Sequence, residues 1–468
     1  MHLHPLKVLL FSVFIVHMGC QAPSSKEGTP VSNPNILFIL ADDLGYGELG
    51  CYGQEVLQTP RIDKMAAEGM RFTQFYAGST VCAPSRGALM TGQHTGHITN
   101  RANRSYPVGA PKERIAIKPS DTTIAMLLKN AGYRTGHFGK WHLEKPGVAH
   151  SMAWNKGFDV SIGTIIENPL GIQSGGFYPA QLHKNGEVID VPGNENEPNV
   201  YVDEFYLQEA KKFMAAPADQ PFLVYVALKT VHNPIEFEQD YGPFKDKDWP
   251  EVEKKYAARL SYLDRKIGEL LDFMDSSGLV ENTLVLFSSD NGNHKEGGHD
   301  PYFFKSNAPL RGYKRDVYDG GIRTPMIARW PGVVKPGSES DYVGAFWDVM
   351  PTLCELAGVE TVKKTDGQSF LSVLKGGTVD PTPNLYWEFR TSSYFRQAVR
   401  LGDFKVLRQD YDAPIEVYHI INDPGESNDL APQYPGLVAK ADSLFVFARV
   451  PDPSFPIPVL DSLYSARK

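Results

Sequence analysis

The sequence predicts a layered α/β fold with one large, mostly parallel sheet and a small antiparallel sheet near the C-terminus. Three observations predict it. Continuous apolar runs at residues 35–41, 222–228 and 283–287 stop abruptly at polar residues, as strands buried on both faces do. Helical patterns lie between these runs, and strands alternating with helices build a layered α/β domain. Beyond a Pro/Thr-rich linker at residues 378–383, short runs at 397–401, 404–407 and 416–421 are separated by turn residues, the pattern of a small antiparallel sheet.

The elements follow in chain order. Lys7 precedes a mostly apolar run at residues 8–16. The run is too short to span a bilayer and fits the core of a secretory signal peptide. His17-Met18-Gly19-Cys20 comes next. A small residue directly before a cysteine resembles a bacterial lipoprotein cleavage site, so Cys20 is the expected lipidation site and membrane attachment point. The expected location is therefore outside the cytoplasm, in the periplasm or at the cell surface. Residues 1–20 read as signal and 21–34 as a polar tether. Thr59-Pro60 opens a helix, with Thr as cap and Pro in its first position. Asp121 is the expected cap of a second helix, whose Ile124, Leu127 and Leu128 share a face and which Gly132 stops. The longest helix carries Leu260, Leu263, Ile267, Leu270, Leu271 and Met274 and ends near Gly278. Residues 35–377 form the expected catalytic domain and 378–468 a small C-terminal α+β subdomain.

Composition bounds the function. The 468 residues are 42% hydrophobic, which argues for a globular protein and against a disordered or collagen-like chain. With 47 Lys and Arg against 55 Asp and Glu, the net charge is −8, which argues against nucleic acid or anionic lipid as a general partner. A local basic pocket for a small anion remains compatible with that total. The four cysteines, Cys20, Cys51, Cys82 and Cys354, include no CxxC pair, so zinc ribbons and thioredoxin-like chemistry are not indicated.

Ligands of open parallel sheets bind at the carboxyl ends of the strands. Here those ends carry Asp42-Asp43, Asp290-Asn291-Gly292, His232, and Gly139-Lys140-Trp141-His142. Acidic oxygen ligands suit a hard cation, Ca²⁺ or Mg²⁺, rather than zinc. Each pair alone is also an ordinary turn former; it is their shared position that points to a site. Cys82-Ala83-Pro84-Ser85-Arg86 reads as a cysteine at the start of a helix, where free backbone N–H groups favour anions and activate nucleophiles. Arg86, one turn on, is placed to hold a tetrahedral anion. A plain thiol nucleophile and a buried structural cysteine are both open on these grounds.

Cys82-x-Pro84-Ser85-Arg86 followed by Thr91-Gly92 resembles the signature of the formylglycine-dependent sulfatases. Asp42-Asp43, Gly139-Lys140-Trp141-His142, His232-Asn233-Pro234 and Ser289-Asp290-Asn291-Gly292 match further motifs of that family in the same order. So do Leu310 to Lys314, Asp319 to Pro325, and the closing Val417-Tyr418-His419 with Asn422-Asp423-Pro424. The resemblance implies an alkaline-phosphatase-like, three-layer sulfatase fold. It implies oxidation of Cys82 to formylglycine by a separate maturing enzyme, aerobic or anaerobic. It implies one Ca²⁺ held by Asp42, Asp43, Asp290, Asn291 and a formylglycine oxygen at position 82. Arg86, Lys140 and Lys314 would stabilise the sulfate, His232 would protonate the departing sugar oxygen, and His142 would take the proton from the remaining formylglycine hydroxyl. His294, in the Gly-rich run after Asp290, and Arg311 are expected substrate contacts. A further sulfate contact is implied after Phe158, where Glu167 and Asn168 stand. The expected substrate is a sulfated saccharide, from algal polymers such as ulvan or carrageenan-like galactans or from host glycans. Two rivals differ in class: a phosphate or phosphonate monoester hydrolase of the same superfamily, and a surface-anchored protein that binds sulfated glycans without turnover.

Overall fold

A computed structural model describes residues 1–2, 33–164, 176–237, 239–362, 364–380 and 384–466. The signal segment with Cys20, nearly all of the tether, and Glu167 and Asn168 lie outside the described residues.

Three of the predicted apolar runs become the strands Asn35–Ala41, Phe222–Ala227 and Thr283–Ser289. Asn35–Ala41 lies between the other two, parallel to both. Arg134–Gly139 and Val160–Gly163 extend the parallel run, and antiparallel strands complete a ten-stranded sheet. Alternate residues of each central strand enter different cores. Leu37, Ile39, Val224, Val226, Val285 and Phe287 pack with helices Pro60–Ala67, Val202–Ala215 and Glu251–Ser276. Ile36, Phe38, Leu40, Leu223, Leu284 and Leu286 pack with Cys82–Thr91, Ile124–Asn130 and Val349–Leu356 on the other face. Burial on both faces explains the unbroken apolar runs and makes this a three-layer sandwich.

The small sheet is antiparallel, in the order Leu385–Arg390, Phe395–Leu401, Phe404–Arg408, Glu416–His419. Residues 33–468 form one compact unit, so the 377/378 connection joins two sheets within a single body. Charge as well as apolar packing joins them. At the seam Lys405 lies 2.8 Å from Asp319 and 3.0 Å from Glu426, all fully buried. One predicted cap differs. Helix Ile124–Asn130 is capped by Thr123, which accepts the Met126 N–H at 3.2 Å. Asp121 instead takes the Lys118 N–H at 2.9 Å, because it stands two residues before the cap position, too early to reach the helix's free donors.

Candidate active site

The strand ends converge as the sheet rule requires. Asp42 and Asp43 follow Asn35–Ala41 and are fully buried, as are Asp290 and Asn291 after Thr283–Ser289. Asp43 has φ 68° and His142 φ 66°, a left-handed backbone that non-glycine residues adopt at a cost. Gly139 has φ 124°, and a Cβ there would lie 2.0 Å from the Ala227 carbonyl oxygen. Only glycine lets this strand end turn Lys140 toward the carboxylates.

Each carboxylate meets a cation. Lys140 Nζ is 2.7 Å from Asp42, Lys314 Nζ 2.7 Å from Asp43, and Arg86 Nη2 2.7 Å from Asp290. Arg86 also donates to the Lys140 carbonyl at 2.6 Å. Its guanidinium thereby fixes Asp290 and the Lys140 strand end. Burial raises the carboxyl pKa values, but Lys140, His232, Arg86 and Lys314 hold Asp42 well below the usual range. Lys314 and His232 do the same for Asp43. Asp290 is pushed up to about 7 by burial and by the charge of Asp42. That repulsion is what a bound cation relieves.

The oxygens available fit a hard cation. Asn291 donates from Nδ2 to Asp43 at 2.6 Å, while its buried Oδ1 has no partner among the described residues. A buried acceptor without a donor is costly, and a metal ion satisfies it. Ligand atoms of Asp42, Asp43, Cys82 and His232 lie within 4.8 Å of one another. The site's acidic residues can thus hold a divalent metal ion.

Cys82 is the first residue of helix Cys82–Thr91, with Val81 as its cap. Its Sγ is 4.0 Å from Asp43 Oδ1. Burial pushes the thiol well above its ordinary pKa, against Lys140 and Lys314, which lower it. A buried thiol that resists ionisation is a poor nucleophile, which weighs against the plain thiolate reading left open by the motif. His232 directs Nδ1 at the Asn233 carbonyl, leaving Nε2 facing the cluster at 3.7 Å from Asp43. Burial lowers its pKa to about 3. Arg259, fully buried, donates to the carbonyls of His232 and Pro234, both at 2.8 Å, and so holds this turn. His142 lies two residues after Lys140, and its buried Nδ1 has no partner among the described residues. Burial, then Lys140, lowers its pKa well below the ordinary value.

The cluster brings together Asp42, Asp43, Cys82, Arg86, Lys140, His232, Asp290, Asn291 and Lys314, with His142 within electrostatic reach of Lys140, Arg86 and Asp42. The two predicted substrate contacts are engaged elsewhere in the fold. His294 is fully buried. Its Nε2 meets the Val231 carbonyl at 2.9 Å and its Nδ1 accepts the Glu296 N–H at 3.0 Å, so neither ring nitrogen is left for substrate. Arg311 donates to the Glu426 carbonyl at 2.8 Å and covers the Tyr318 ring at 3.9 Å. It ties the loop before Lys314 to the C-terminal segment. Sequence reasoning missed Arg259 and Glu296. Glu296 lies 3.5 Å from Lys314 and also pairs with Arg315. Neither stands in a recognisable motif.

Residues 34–359 match the family model described as "Sulfatase". The chain belongs to the sulfatase family. It is a sulfuric ester hydrolase. Residues 312–440 also match a model described as "N-sulphoglucosamine sulphohydrolase, C-terminal", so this second match begins two residues before Lys314. An N-acetylgalactosamine-6-sulfatase of Rattus norvegicus is 31% identical over 390 residues, covering 80% of this chain and 71% of that protein. An arylsulfatase of Hemicentrotus pulcherrimus is 30% identical, covering 82% and 68%. Among solved structures, Ps i-CgsB in complex with k-i-k-neocarrahexaose superposes with TM-score 0.77 at 25% identity, covering 93% of this chain and 97% of that one. A protein studied in the metabolism of multiple glycosaminoglycans by Bacteroides thetaiotaomicron gives TM-score 0.70 at 26% identity, covering 88% and 98%.

Proposed function

We propose that this sulfatase removes sulfate from sulfated saccharides, using formylglycine made from Cys82 and one Ca²⁺ at Asp42, Asp43, Asp290 and Asn291. The observation that supports it best is the placement of Cys82. A buried thiol stands at a helix start among three carboxylates, two lysines and His232. Formylglycine would supply a hydrated aldehyde whose one hydroxyl attacks sulfur while the other lets the sulfated product collapse. Ca²⁺ would supply charge that draws in the sulfate oxygens and favours ionisation of that hydroxyl.

The chain's own side chains do the remainder. Lys140 and Lys314 stay charged under the influence of Asp42 and Asp43 and stabilise the negative charge that develops on the sulfuryl oxygens. Arg86 fixes Asp290 and the residue-140 strand end. His232 presents Nε2 for the proton that the departing sugar oxygen needs. An anionic ester beside it favours its charged form, opposite to the effect of burial. His142, unpartnered at Nδ1 and held neutral, is the base for the second hydroxyl.

Export, lipid attachment at Cys20 and a maturing enzyme as partner complete the proposal. They suit an enzyme that works on polysaccharide outside the cytoplasm. The substrate class is supported by relatives named for N-acetylgalactosamine sulfates and by the neocarrahexaose in the Ps i-CgsB complex. Algal galactans or ulvan and host glycans both belong to it. The test incubates matured protein with defined sulfated oligosaccharides and measures sulfate release. Wild type should release sulfate, and Cys82→Ser and Cys82→Ala should not while keeping the wild-type melting profile. Turnover by either variant contradicts the formylglycine route.

A further inference from the structure

The three carboxylates of the cluster each have a cation at 2.7 Å. Arg114 has no such use. It is 7% exposed, and its guanidinium makes no hydrogen bond or ion pair with any described residue. Its position is well fixed. Glu113 N–H donates to Ser105 Oγ at 3.0 Å, and Ser105 N–H donates to the Glu113 carbonyl at 2.7 Å. In the same loop Asn103 Oδ1 takes the N–H of Ala83, next to Cys82, at 3.1 Å. Three residues after Arg114, Ile117 N–H donates to the carbonyl of Leu143, next to His142, at 3.0 Å. Arg114 thus sits on a segment strung between the Cys82 side and the His142 side of the site. Its sequence neighbour Glu113 does not neutralise it, because that exposed carboxylate turns outward to Lys145 at 2.5 Å.

The residue is largely enclosed while its guanidinium keeps an accessible edge and has no counter-ion among the described residues, an arrangement that an anionic ligand would complete. Its charge reaches the site, for it disfavours protonation of His142. The charge balance there has room for a second anion. The cluster's carboxylates and cations cancel, a divalent ion adds two charges, and a sulfate monoester returns one.

We propose that Arg114 receives a second anionic group of the saccharide, a sulfate or a carboxylate, so that the preferred substrate carries two anions and loses the one at residue 82. The inference rests on the sulfatase reading and narrows its substrate class. A planar guanidinium pairs two-pronged with either oxyanion, so geometry admits both.

The test measures binding to the Ca²⁺-loaded full chain carrying Cys82→Ser, which prevents turnover. Three probes are compared by calorimetry: N-acetylgalactosamine 6-sulfate, the same sugar with a second sulfate, and the same sulfated sugar linked to a uronic acid. At least one dianionic probe should bind about 10- to 100-fold more tightly than the monoanionic one, the range of a charge-assisted pair. The stronger of the two identifies the anion as sulfate or carboxylate. In Arg114→Gln that ratio should fall to about 1 by the same pairing argument, and Arg114→Lys should restore part of it. Equal binding of all probes, or a ratio unchanged in Arg114→Gln, overturns the proposal. Failure of the sulfatase reading shows elsewhere, as absence of sulfate release from every probe by matured wild-type protein.

Discussion

Lys314→Met tests the logic of the paired charges. Lys314 Nζ lies 2.7 Å from Asp43, and both are almost wholly buried. Removing one partner of such a pair leaves an uncompensated charge and costs about 3–5 kcal/mol. Unfolding entropy grows with chain length, so about 1 °C is lost per kcal/mol at this size, and the melting midpoint should fall by about 3–5 °C. That holds when a chelator keeps the site free of metal. A divalent ion bound at Asp42, Asp43, Asp290 and Asn291 supplies the missing positive charge, so saturating Ca²⁺ should recover most of the loss. The variant should also bind Ca²⁺ more tightly, because one repelling charge is gone. The assay is thermal unfolding of both proteins in chelator and in Ca²⁺. An equal drop in both conditions, or no drop in chelator, refutes the reasoning.

Gly292→Ala places a Cβ 1.8 Å from the Gly320 carbonyl oxygen, so the backbone carrying Asn291 must move; turnover should fall about 100-fold, the cost of roughly 1 Å of misplacement, with weaker Ca²⁺ affinity by titration. Lys405→Met removes the buried cation shared by Asp319 and Glu426 and should destabilise the protein by about 3–5 kcal/mol, read by chemical denaturation. Asp348, buried and accepting the Ala345 and Gln368 N–H groups, is pushed up to about 7 by burial. Between its unfolded value and about 7 the folded state holds the extra proton, so its contribution to stability declines as pH rises through that window. The stability advantage of wild type over Asp348→Asn should therefore shrink from pH ~5 to pH ~8 by this linkage, and an advantage that grows with pH contradicts it.

The parts of the fold that were legible in the sequence are those whose burial is two-sided. Asn35–Ala41, Phe222–Ala227 and Thr283–Ser289 sit between both cores and so read as unbroken apolar runs. The strand Gln181–Lys184 and the edge strand Glu187–Asp190 beside it are short, and Glu187–Asp190 is mostly exposed, so no such run marks them. Leu385–Arg390 was hidden for another reason. Its Glu388 is a buried charge paired with Arg101 and Arg449, partners that only the folded chain brings near. The site was legible where residues cluster at strand ends, as at Asp42-Asp43 and Asp290-Asn291. The bonds of His294 to the Val231 carbonyl and of Arg311 to the Glu426 carbonyl were not legible, because those partners are distant in sequence. Arg259 was hidden in the longest helix, where an amphipathic pattern treats it as one more surface charge.

The central claim is that residue 82 acts as formylglycine. The most direct measurement is the mass of the peptide spanning residue 82 from protein purified from its native source. The account predicts a peptide in which the cysteine side chain has exchanged its thiol for an aldehyde oxygen, and which reacts with a hydrazide. An intact cysteine thiol in protein that releases sulfate would contradict it.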